Sequence, residues 1–353
     1  MKGLVLSGGY GTGLRPLTFS QQKQLIPVAN KPVLFYAIDD LVNTGISEIG
    51  VIVGPHKEQV IKTVQSGNWG VNFTFIDQPE PLGLAHAIKI SKDFIGEDSF
   101  VMYLGDNILK GGIEEYIKEF QRSNADAHIL LTEVQNPERF GVAQLDEKGN
   151  VIKLIEKPKI PPSNLALVGI YMFKPIIFEA TEEIKPSWRN ELEITDAIQW
   201  LIDHGYKVKA SKVKGWWKDT GRPEDILDAN RLVLDEIETK IEGKIESNVI
   251  IKGRVKIGRE TLVKNNSIIK GPCVIGSNCL IENSFIGPYT SIGNNCKIIN
   301  SEIEDSIIMD DSEIISAGRI IGSLIGKEVK VVKDGSSIQG FKLVLGDKSK
   351  MLI

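Results

Sequence analysis

Hydrophobic and polar residues alternate with two different periods over the first 236 residues. Short β-branched runs favour strands, and the pattern predicts them at residues 2–6, 48–53, 71–76, 99–104 and 127–133. Apolar residues at helical spacing predict helices at 32–44, 84–92, 112–123 and 193–204. Alternating strands and helices are typical of an α/β domain whose mostly parallel sheet carries helices on both faces. Ligands of such sheets bind beyond the carboxyl ends of the strands.

The pattern changes after a charged helix predicted at about 223–240. An aliphatic residue then recurs every six positions from Ile251, slips by one residue before Ile286, and continues to Ile325. Hexapeptide repeats are typical of a parallel β-helix, in which three units form one triangular coil. An antiparallel sandwich fits less well, because its turn signals come roughly every 8 to 12 residues. We therefore predict two domains, 1–240 and a β-helix of 241–353 that ends in a short tail.

Three cysteines share one phase of the hexad, four residues after an aliphatic position. A one-residue slip separates Cys279 from Cys296, so these two are predicted to stack in successive coils. Cys273 is expected on another side of the coil. We expect all three to be buried thiols that act as small apolar fillers.

Charge and composition narrow the classes of partner. The 353-residue chain has 42 Lys plus Arg and 46 Asp plus Glu, a formal net charge of −4. This balance argues against a broad basic face for nucleic acid and against a polybasic membrane anchor. The sequence shows no run of about 18 apolar residues, no signal-peptide pattern at its N-terminus, and no disulfide framework or CxxC metal motif. We expect a cytoplasmic protein without a nucleic-acid or membrane partner.

A glycine-rich loop follows the first predicted strand and runs from Ser7 to Thr18. Glycines let backbone N–H groups approach a phosphate closely and form an anion-binding nest. A dinucleotide fingerprint would need a glycine where Leu14 stands, and a P-loop would need a Gly-Lys-Ser/Thr sequence that is absent. A tight structural turn without a ligand remains an alternative for the glycines alone.

Further motifs follow this loop in a fixed order: Lys23-Gln24-Leu25-Ile26-Pro27, Gln78-Pro79, Leu82-Gly83-Leu84-Ala85, Gly105-Asp106-Asn107, Phe140-Gly141-Val142, Glu156-Lys157-Pro158, Glu193-Ile194-Thr195-Asp196 and Trp217-Lys218-Asp219-Thr220-Gly221. In this order and spacing, the whole chain resembles sugar-1-phosphate nucleotidylyltransferases, and most of all glucose-1-phosphate thymidylyltransferases of the long type. The resemblance implies a Rossmann-like, mostly parallel sheet with helices on both faces, followed by a left-handed parallel β-helix.

The resemblance implies transfer of a nucleotidyl group from dTTP, or from UTP as the second donor, to glucose 1-phosphate. The products are dTDP-glucose and pyrophosphate, formed by in-line attack of a sugar phosphate oxygen on the α-phosphorus. Asp106 and Asp219 match the family's two metal aspartates, and Mg²⁺ suits such hard carboxylate ligands. Lys23 matches the lysine that reaches the phosphates. Taken alone, Asp106 would be read as a turn former, Asp219 as a structural cap and Lys23 as a solvated lysine.

The remaining site residues also come from the resemblance. It implies that the nucleotide is bound by Leu6, Gly8, Gly9, Gly11, Gln24, Gln78 and Gly83, and the sugar phosphate by Asn107, Gly141, Glu156 and Lys157. The Gln78 amide can offer a donor and an acceptor to a pyrimidine edge. Seen alone, Glu156 and Lys157 would be a surface ion pair before a proline.

The loop departs from the family at Gly13, where the family has an arginine that neutralises the triphosphate. Such a guanidinium matters by about 10³ to 10⁵ in the rate of some phosphoryl transfers. Compensation by Arg15 or Lys23, an inactivating change, and a regulatory paralogue all remain open. The alternative function is therefore a catalytically weakened regulatory or scaffolding subunit of a nucleotide-sugar pathway. A further hypothesis is that Gly13→Arg raises activity.

The β-helix is not expected to be an acyltransferase, because all four histidines precede residue 250 and none lies in the repeats. We expect its coils to stack on the catalytic domain and on neighbouring subunits of a homo-oligomer.

Overall fold

The structure is a computed structural model that describes residues 1–333 and 347–352. Thirteen strands precede residue 220 in this described chain: β1 (Lys2–Ser7), β2 (Pro27–Val28), β3 (Lys31–Pro32), β4 (Glu48–Val53), β5 (Asn72–Asp77), β6 (Phe100–Leu104), β7 (Asn107–Leu109), β8 (Ala127–Glu133), β9 (Gly141–Leu145), β10 (Val151–Glu156), β11 (Leu165–Phe173), β12 (Val208–Lys212) and β13 (Trp217–Asp219). All five strands that the sequence pattern predicts are among them.

Eight α-helices lie in the described residues: α1 (Val33–Asn43), α2 (Lys57–Gln65), α3 (Leu84–Ile90), α4 (Lys92–Ile95), α5 (Glu114–Ser123), α6 (Ile177–Glu183), α7 (Ile194–Asp203) and α8 (Pro223–Leu234). Short 3₁₀ turns occupy Thr12–Leu14, Leu17–Phe19, Lys23–Leu25 and Pro137–Arg139. The predicted helices are confirmed within two or three residues at most ends, except that the charged helix ends at Leu234 instead of about residue 240.

The large sheet combines parallel and antiparallel pairs, and β12 is parallel to β8 at one edge. Its strands run in the order β10-β9-β11-β6-β1-β4-β5, with β8 beside β11 and β12 beside β8. Strands β5, β4, β1 and β6 pair in parallel. Strand β11 is antiparallel to β6, β8 and β9, so the Rossmann-like sheet is mixed where a mostly parallel one was expected.

Two hydrophobic clusters cover the faces of this sheet. One is built around Phe100, Phe173, Ile88 and Ile198. The other is built around Tyr103, Ile38 and Leu41. Helix α1 shows why the sequence folds this way, because its apolar positions follow helical spacing and bury one side, while Asp39 and Asp40 lie outside that buried set.

Fifteen strands follow in the described part of the repeats: β14 (Lys240–Ile241), β15 (Lys244–Ile245), β16 (Ile250–Lys252), β17 (Val255–Ile257), β18 (Leu262–Lys264), β19 (Ile268–Lys270), β20 (Cys273–Ile275), β21 (Leu280–Glu282), β22 (Phe285–Ile286), β23 (Thr290–Ile292), β24 (Lys297–Glu304), β25 (Ile307–Ile308), β26 (Glu313–Ile321), β27 (Leu324–Ile325) and β28 (Lys330–Val332). Every pairing among them is parallel, as a left-handed parallel β-helix requires.

The aliphatic residues of the hexads form three stacks, one for each side of the coil, which are buried in the middle coils and partly buried at the ends. One stack runs Ile257, Ile275, Ile292, Ile308, Ile325. The other two run Val263, Ile281, Ile298, Ile314, Val331 and Ile251, Ile269, Ile286, Ile303, Ile320. The predicted slip is confirmed, because the coils after Ile269 are shorter while the stacks stay in register.

The cysteine prediction is confirmed by the same register. Leu280 pairs with Lys297, which places Cys279 beside Cys296 in the next coil, and Cys273 lies in another stack opposite Thr290. All three thiols are free and buried. Burial raises the pKa of the Cys273 thiol to about 12, so this side chain is a neutral filler.

The chain divides into two compact units. The first is Met1–Tyr10, Gln21–Leu25 and Val33–Asp219, and the second is Gly11–Ser20, Ile26–Pro32 and Thr220–Ile353. The expected boundary at residue 240 follows the change in sequence pattern, whereas the contacts of α8 and of two N-terminal segments place them with the repeats. No helix in the described residues is long and apolar enough to span a membrane.

Candidate active site

Two carboxylates and one ammonium meet where β6 and β13 end. Asp106 follows β6, and Asp219 ends β13, whose antiparallel pairing with β7 sets Asp219 opposite Asn107. Lys23, in the 3₁₀ turn Lys23–Leu25, forms an ion pair with Asp106. Burial alone would lower the pKa of Lys23, but the charges of Asp106 and Asp219 outweigh it and hold that pKa above its ordinary value. The ammonium is therefore a positive charge that both carboxylates stabilise.

Asn107 holds this charge cluster in place. Its Nδ2 donates to Asp106 Oδ1 at 2.8 Å, and its Oδ1 accepts from Trp217 Nε1 at 2.7 Å. Both donor and acceptor of the buried amide are thus engaged, which leaves the Asp106 carboxylate with a defined orientation. The Trp217 ring lies edge-on to Phe140, with ring centroids 5.5 Å apart, and so links this cluster to the residues around Gly141.

The start of the glycine loop is held by the buried side chain of Gln22, which also contacts the buried Gln24. Gln22 Nε2 donates to the carbonyls of Ser7 and Gly9 at 2.9 and 3.0 Å, and to Gln24 Oε1 at 2.7 Å. Leu6 is a core residue of β1, and its carbonyl accepts from Gly105 N at 2.9 Å. The structure therefore joins the loop to the Asp106 turn through backbone groups.

Gln78, which follows β5, lies against this loop. An ideal Cβ on Gly8 would be 2.9 Å from Gln78 Oε1, so only glycine allows this approach. Gln78 Nε2 lies 3.4 Å from the Gly83 carbonyl and 3.0 Å from His86 Nδ1. Gln78, Gly83 and Gly8 are thus brought together, as the resemblance implies.

Glu156 and Lys157 lie with an arginine that the motif search did not single out. Arg189 NH1 lies 3.5 Å from Glu156 Oε1 and 3.3 Å from Glu193 Oε1, and its NH2 lies 2.8 Å from Glu191 Oε1. Lys157 Nζ is 3.9 Å from Glu156 Oε1. Burial, reinforced by Glu193, raises the pKa of Glu156 to about 7.

Gly141 faces this group of acids and bases. A Cβ there would lie 3.0 Å from Glu156 Oε2 and 2.8 Å from Thr195 Cγ2. The Thr195 hydroxyl oxygen is buried without a hydrogen-bond partner in the described structure. Leu192 connects the group to the nucleotide side, because its amide donates to Leu82 O at 2.7 Å and its carbonyl accepts from Ala85 N at 3.0 Å.

The first unit thus gathers Leu6, Gly8, Gly9, Lys23, Gln24, Gln78, Gly83, Asp106, Asn107, Gly141, Glu156, Lys157 and Asp219 into three linked groups. The carboxyl ends of β1, β5 and β6 carry much of the set, as expected for a ligand site of an α/β sheet. Gly11 belongs to the second unit, where its carbonyl accepts from Thr18 Oγ1 at 2.6 Å and from Leu14 N at 3.0 Å.

Sequence reasoning missed Gln22, His86 and Arg189. Their roles come from contacts with residues far along the chain or across a loop, which no single-sequence pattern records. Arg189 stands beside the quoted Glu193 motif, and that proximity was the only available signal.

Gly13 lies in the second unit, against the backbone. A Cβ at this position would be 2.6 Å from the carbonyl oxygen of Gly221, closer than Cβ atoms approach backbone. Any side chain at residue 13 requires this backbone to move, which the sequence alone does not reveal.

The donor set suits a magnesium ion that shares its shell with phosphates. No cluster of three or more His, Cys, Asp or Glu with metal-binding geometry occurs in the described chain. Mg²⁺ commonly takes one or two carboxylates and completes its shell with water and substrate phosphates. Asp106 and Asp219, whose charges both raise the pKa of Lys23, could supply these two carboxylates.

Comparison with known proteins shows the family to which the chain belongs. The sequence profile of the nucleotidyl transferase family matches residues 2–236. The chain belongs to this family. It is 52% identical to the low-salt glycan biosynthesis nucleotidyltransferase Agl11 of Haloferax volcanii, over 99% of each chain.

Other family members cover different lengths of this chain. A glucose-1-phosphate thymidylyltransferase of Streptomyces antibioticus is 48% identical over 100% of this chain and 99% of its own. The solved structure of a UDP-glucose pyrophosphorylase with UDP-glucose superposes with a TM-score of 0.61 at 26% identity, covering 67% of this chain and 99% of its own. The protein is therefore a nucleotidyltransferase enzyme.

Proposed function

We propose that the protein transfers a nucleotidyl group from dTTP, with UTP as the second donor, to glucose 1-phosphate. The products are dTDP-glucose and pyrophosphate. The observation that carries the proposal is the charge cluster of Lys23, Asp106 and Asp219, which joins a cation for phosphates to two hard oxygen ligands. The name of the Streptomyces antibioticus relative supports this donor and acceptor.

Asp106 and Asp219 are the residues that would hold Mg²⁺. When bound there, the ion would offset the negative charge of the two phosphate groups that must approach one another. Lys23 already offsets the two carboxylates, and its raised pKa keeps the ammonium charged at neutral pH. Asn107 and Trp217 keep the Asp106 carboxylate oriented, so little rearrangement is needed on binding.

The nucleotide is proposed to lie along the glycine loop. Backbone N–H groups of Gly8 and Gly9 would contact the triphosphate, while Gln22, which also donates to Gln24, would hold this part of the loop through the carbonyls of Ser7 and Gly9. Gln78 and Gly83, with the backbone of Leu6, would contact the base.

The sugar phosphate is proposed to lie beside Glu156. The carboxylate accepts hydrogen bonds from sugar hydroxyls, Gly141 leaves space for the ring, and Asn107 contacts the sugar. Lys157 supplies a cation for the phosphate, and Arg189 adds a second one because it lies against the same carboxylate. A sugar phosphate oxygen then attacks the α-phosphorus as the bond to the β-phosphate breaks and pyrophosphate leaves.

Pyrophosphate release tests the proposal. The full chain is incubated with Mg²⁺ and each pairing of dTTP, UTP, CTP or GTP with glucose, galactose, mannose or N-acetylglucosamine 1-phosphate. The highest kcat/KM is expected for dTTP with glucose 1-phosphate. A higher value for another pairing would replace the substrate assignment, and turnover with none would favour the regulatory alternative that Gly13 suggests.

A further inference from the structure

The amide of Gln78 has one orientation, and a neighbouring histidine fixes it. Gln78 is 5% exposed, and its backbone N–H donates to the Val53 carbonyl at 2.8 Å. Its Nε2 lies 3.0 Å from His86 Nδ1 and 3.4 Å from the Gly83 carbonyl. Resting on the proposed function, we infer that His86 is a positioning residue that makes the site select pyrimidines with an N3–H group, thymine and uracil, over cytosine.

The Gly83 carbonyl decides which end of the amide faces His86. A carbonyl only accepts hydrogen bonds, so a flipped amide would set Gln78 Oε1 against the Gly83 oxygen. With Nε2 in that place, His86 Nδ1 must accept, which requires a neutral ring with its proton on Nε2. Burial and the positive charge of Lys89 lower the pKa of His86, in agreement with a neutral ring.

Helix α3 keeps the histidine in place. His86 stands in its first turn, between Ala85 and Ala87, which are both buried. The amide of Ala85 donates to Leu192 O at 3.0 Å, and the amide of Ala87 donates to Gly83 O at 3.3 Å. Helix α3, which carries His86, is therefore hydrogen-bonded to Gly83, whose carbonyl is the second acceptor for the Gln78 amide.

The consequence is that only the carbonyl oxygen of Gln78 remains for a ligand. Both N–H groups of the amide point toward His86 and Gly83, while Oε1 faces the backbone of Gly8 and accepts no hydrogen bond within the described residues. Thymine and uracil carry a donor at N3, whereas cytosine carries a lone pair there. An acceptor held in this place pairs with the first two bases and repels the third.

Without His86, only the long 3.4 Å contact with the Gly83 carbonyl opposes a turn of the amide. The glutamine can then more readily offer an N–H group to cytosine in place of the oxygen that it offers to uracil. The choice between bases is therefore expected to depend on a residue that does not itself touch the nucleotide.

The test compares two variants at this position. His86→Leu removes the acceptor, while His86→Asn keeps an oxygen near the place of Nδ1. The readouts are kcat/KM for UTP over CTP with glucose 1-phosphate, and calorimetric affinities for the same two triphosphates without the sugar. His204→Leu, on an exposed histidine that stacks on Trp200 outside the site, is the matched control.

We expect His86→Leu to lower the UTP over CTP ratio by about tenfold or more, in turnover and in binding, and His86→Asn to stay within about threefold of the parent. A ratio unchanged in His86→Leu, or lowered equally in both variants, would overturn the inference. Failure of the proposed function looks different, because the parent would then release no pyrophosphate while the binding ratio still reports on His86.

Discussion

At the scale of single residues, one guanidinium forms ion pairs with three carboxylates. Arg189 lies against Glu156, Glu191 and Glu193, and Glu156 retains a pKa raised to about 7 despite Arg189 and Lys157. A carboxyl with a raised pKa lowers the stability of the fold when it is ionised. Hydroxyl groups of a bound ligand can donate hydrogen bonds to that carboxylate and stabilise its charge. Function and stability are therefore opposed at this residue.

Glu156→Gln is expected to weaken sugar binding and to stabilise the fold. Loss of charged hydrogen bonds to hydroxyls should lower kcat/KM for glucose 1-phosphate by about tenfold or more. Because the folded-state pKa is above the unfolded one, Glu156 costs stability as pH rises from about 4.5 to about 7, and the full cost remains above that range.

The variant should therefore melt about 2 °C or more above the parent at pH 8, with a smaller difference at pH 5. Thermal unfolding at both pH values checks the sign. A variant that melts lower at pH 8 would show that the ion pairs of Glu156 outweigh its burial.

The structure changes the expected effect of substitutions at Gly13. The hypothesis that Gly13→Arg raises activity rests on restoring a charge, but a Cβ at residue 13 would lie 2.6 Å from the Gly221 carbonyl oxygen. We now expect Gly13→Ala and Gly13→Arg each to lower the free energy of unfolding by about 1–3 kcal/mol. We expect no gain in kcat/KM for the triphosphate from the arginine.

Urea unfolding and pyrophosphate release measure the two effects of the Gly13 variants. If Gly13→Arg is faster than the parent and equally stable, the Gly221 backbone yields easily and the original charge hypothesis is right.

At the scale of elements, the sequence pattern predicted those helices and strands that depend on residues close together in the chain. Hydrophobic periodicity predicted the longer helices and five strands, β1, β4, β5, β6 and β8. The hexapeptide repeat predicted the register of the coils, because the same pattern recurs in every coil. Strands β9, β10 and β11 were not predicted, and neither were the antiparallel pairs of the sheet. Strand β11 pairs with β6, about seventy residues earlier, and such long-range pairing leaves no signature in one sequence.

The stacked isoleucines should each contribute strongly to the stability of the coil. Ile298 is 0% exposed and pairs with Ile281 on one side and Ile314 on the other. Ile298→Ala is expected to lower the free energy of unfolding by about 2–5 kcal/mol, because the cavity lies between two fixed coils. Lys297→Ala, one residue earlier on the exposed side, is the control and should change it by less than about 0.5 kcal/mol. Equal effects of both substitutions in urea unfolding would contradict the inward register.

At the scale of the whole molecule, the repeats fold together with pieces from the start of the chain. Asn230 of α8 accepts from Ala29 N at 2.8 Å and from Ser291 Oγ at 2.7 Å, and it donates to Tyr289 O at 3.0 Å. Asn30 Nδ2 donates to Ile292 O at 2.5 Å. The second unit is thus more than a β-helix appended at the end of the chain.

Asn230→Ala should destabilise this second unit. The substitution removes the hydrogen bonds to the part-buried Ala29 amide and Tyr289 carbonyl, at a cost of about 0.5–1.5 kcal/mol for each bond. Glu238→Ala, on an exposed residue just past α8, should be close to neutral. Differential scanning calorimetry measures the melting temperature of both variants. An Asn230→Ala variant as stable as the parent would show that the hydrogen bonds of Asn230 are not needed for stability.

Asp106 and Asp219 are proposed to hold the magnesium ion of a nucleotidyl transfer, and magnesium titration of turnover tests this proposal. Asp106→Asn and Asp219→Asn keep side-chain shape but remove a hard charged ligand. Each is expected to lower kcat by about tenfold or more and to require more Mg²⁺ for half-maximal pyrophosphate release, while the protein stays folded. Near-parental rates of both variants at limiting Mg²⁺ would contradict the account.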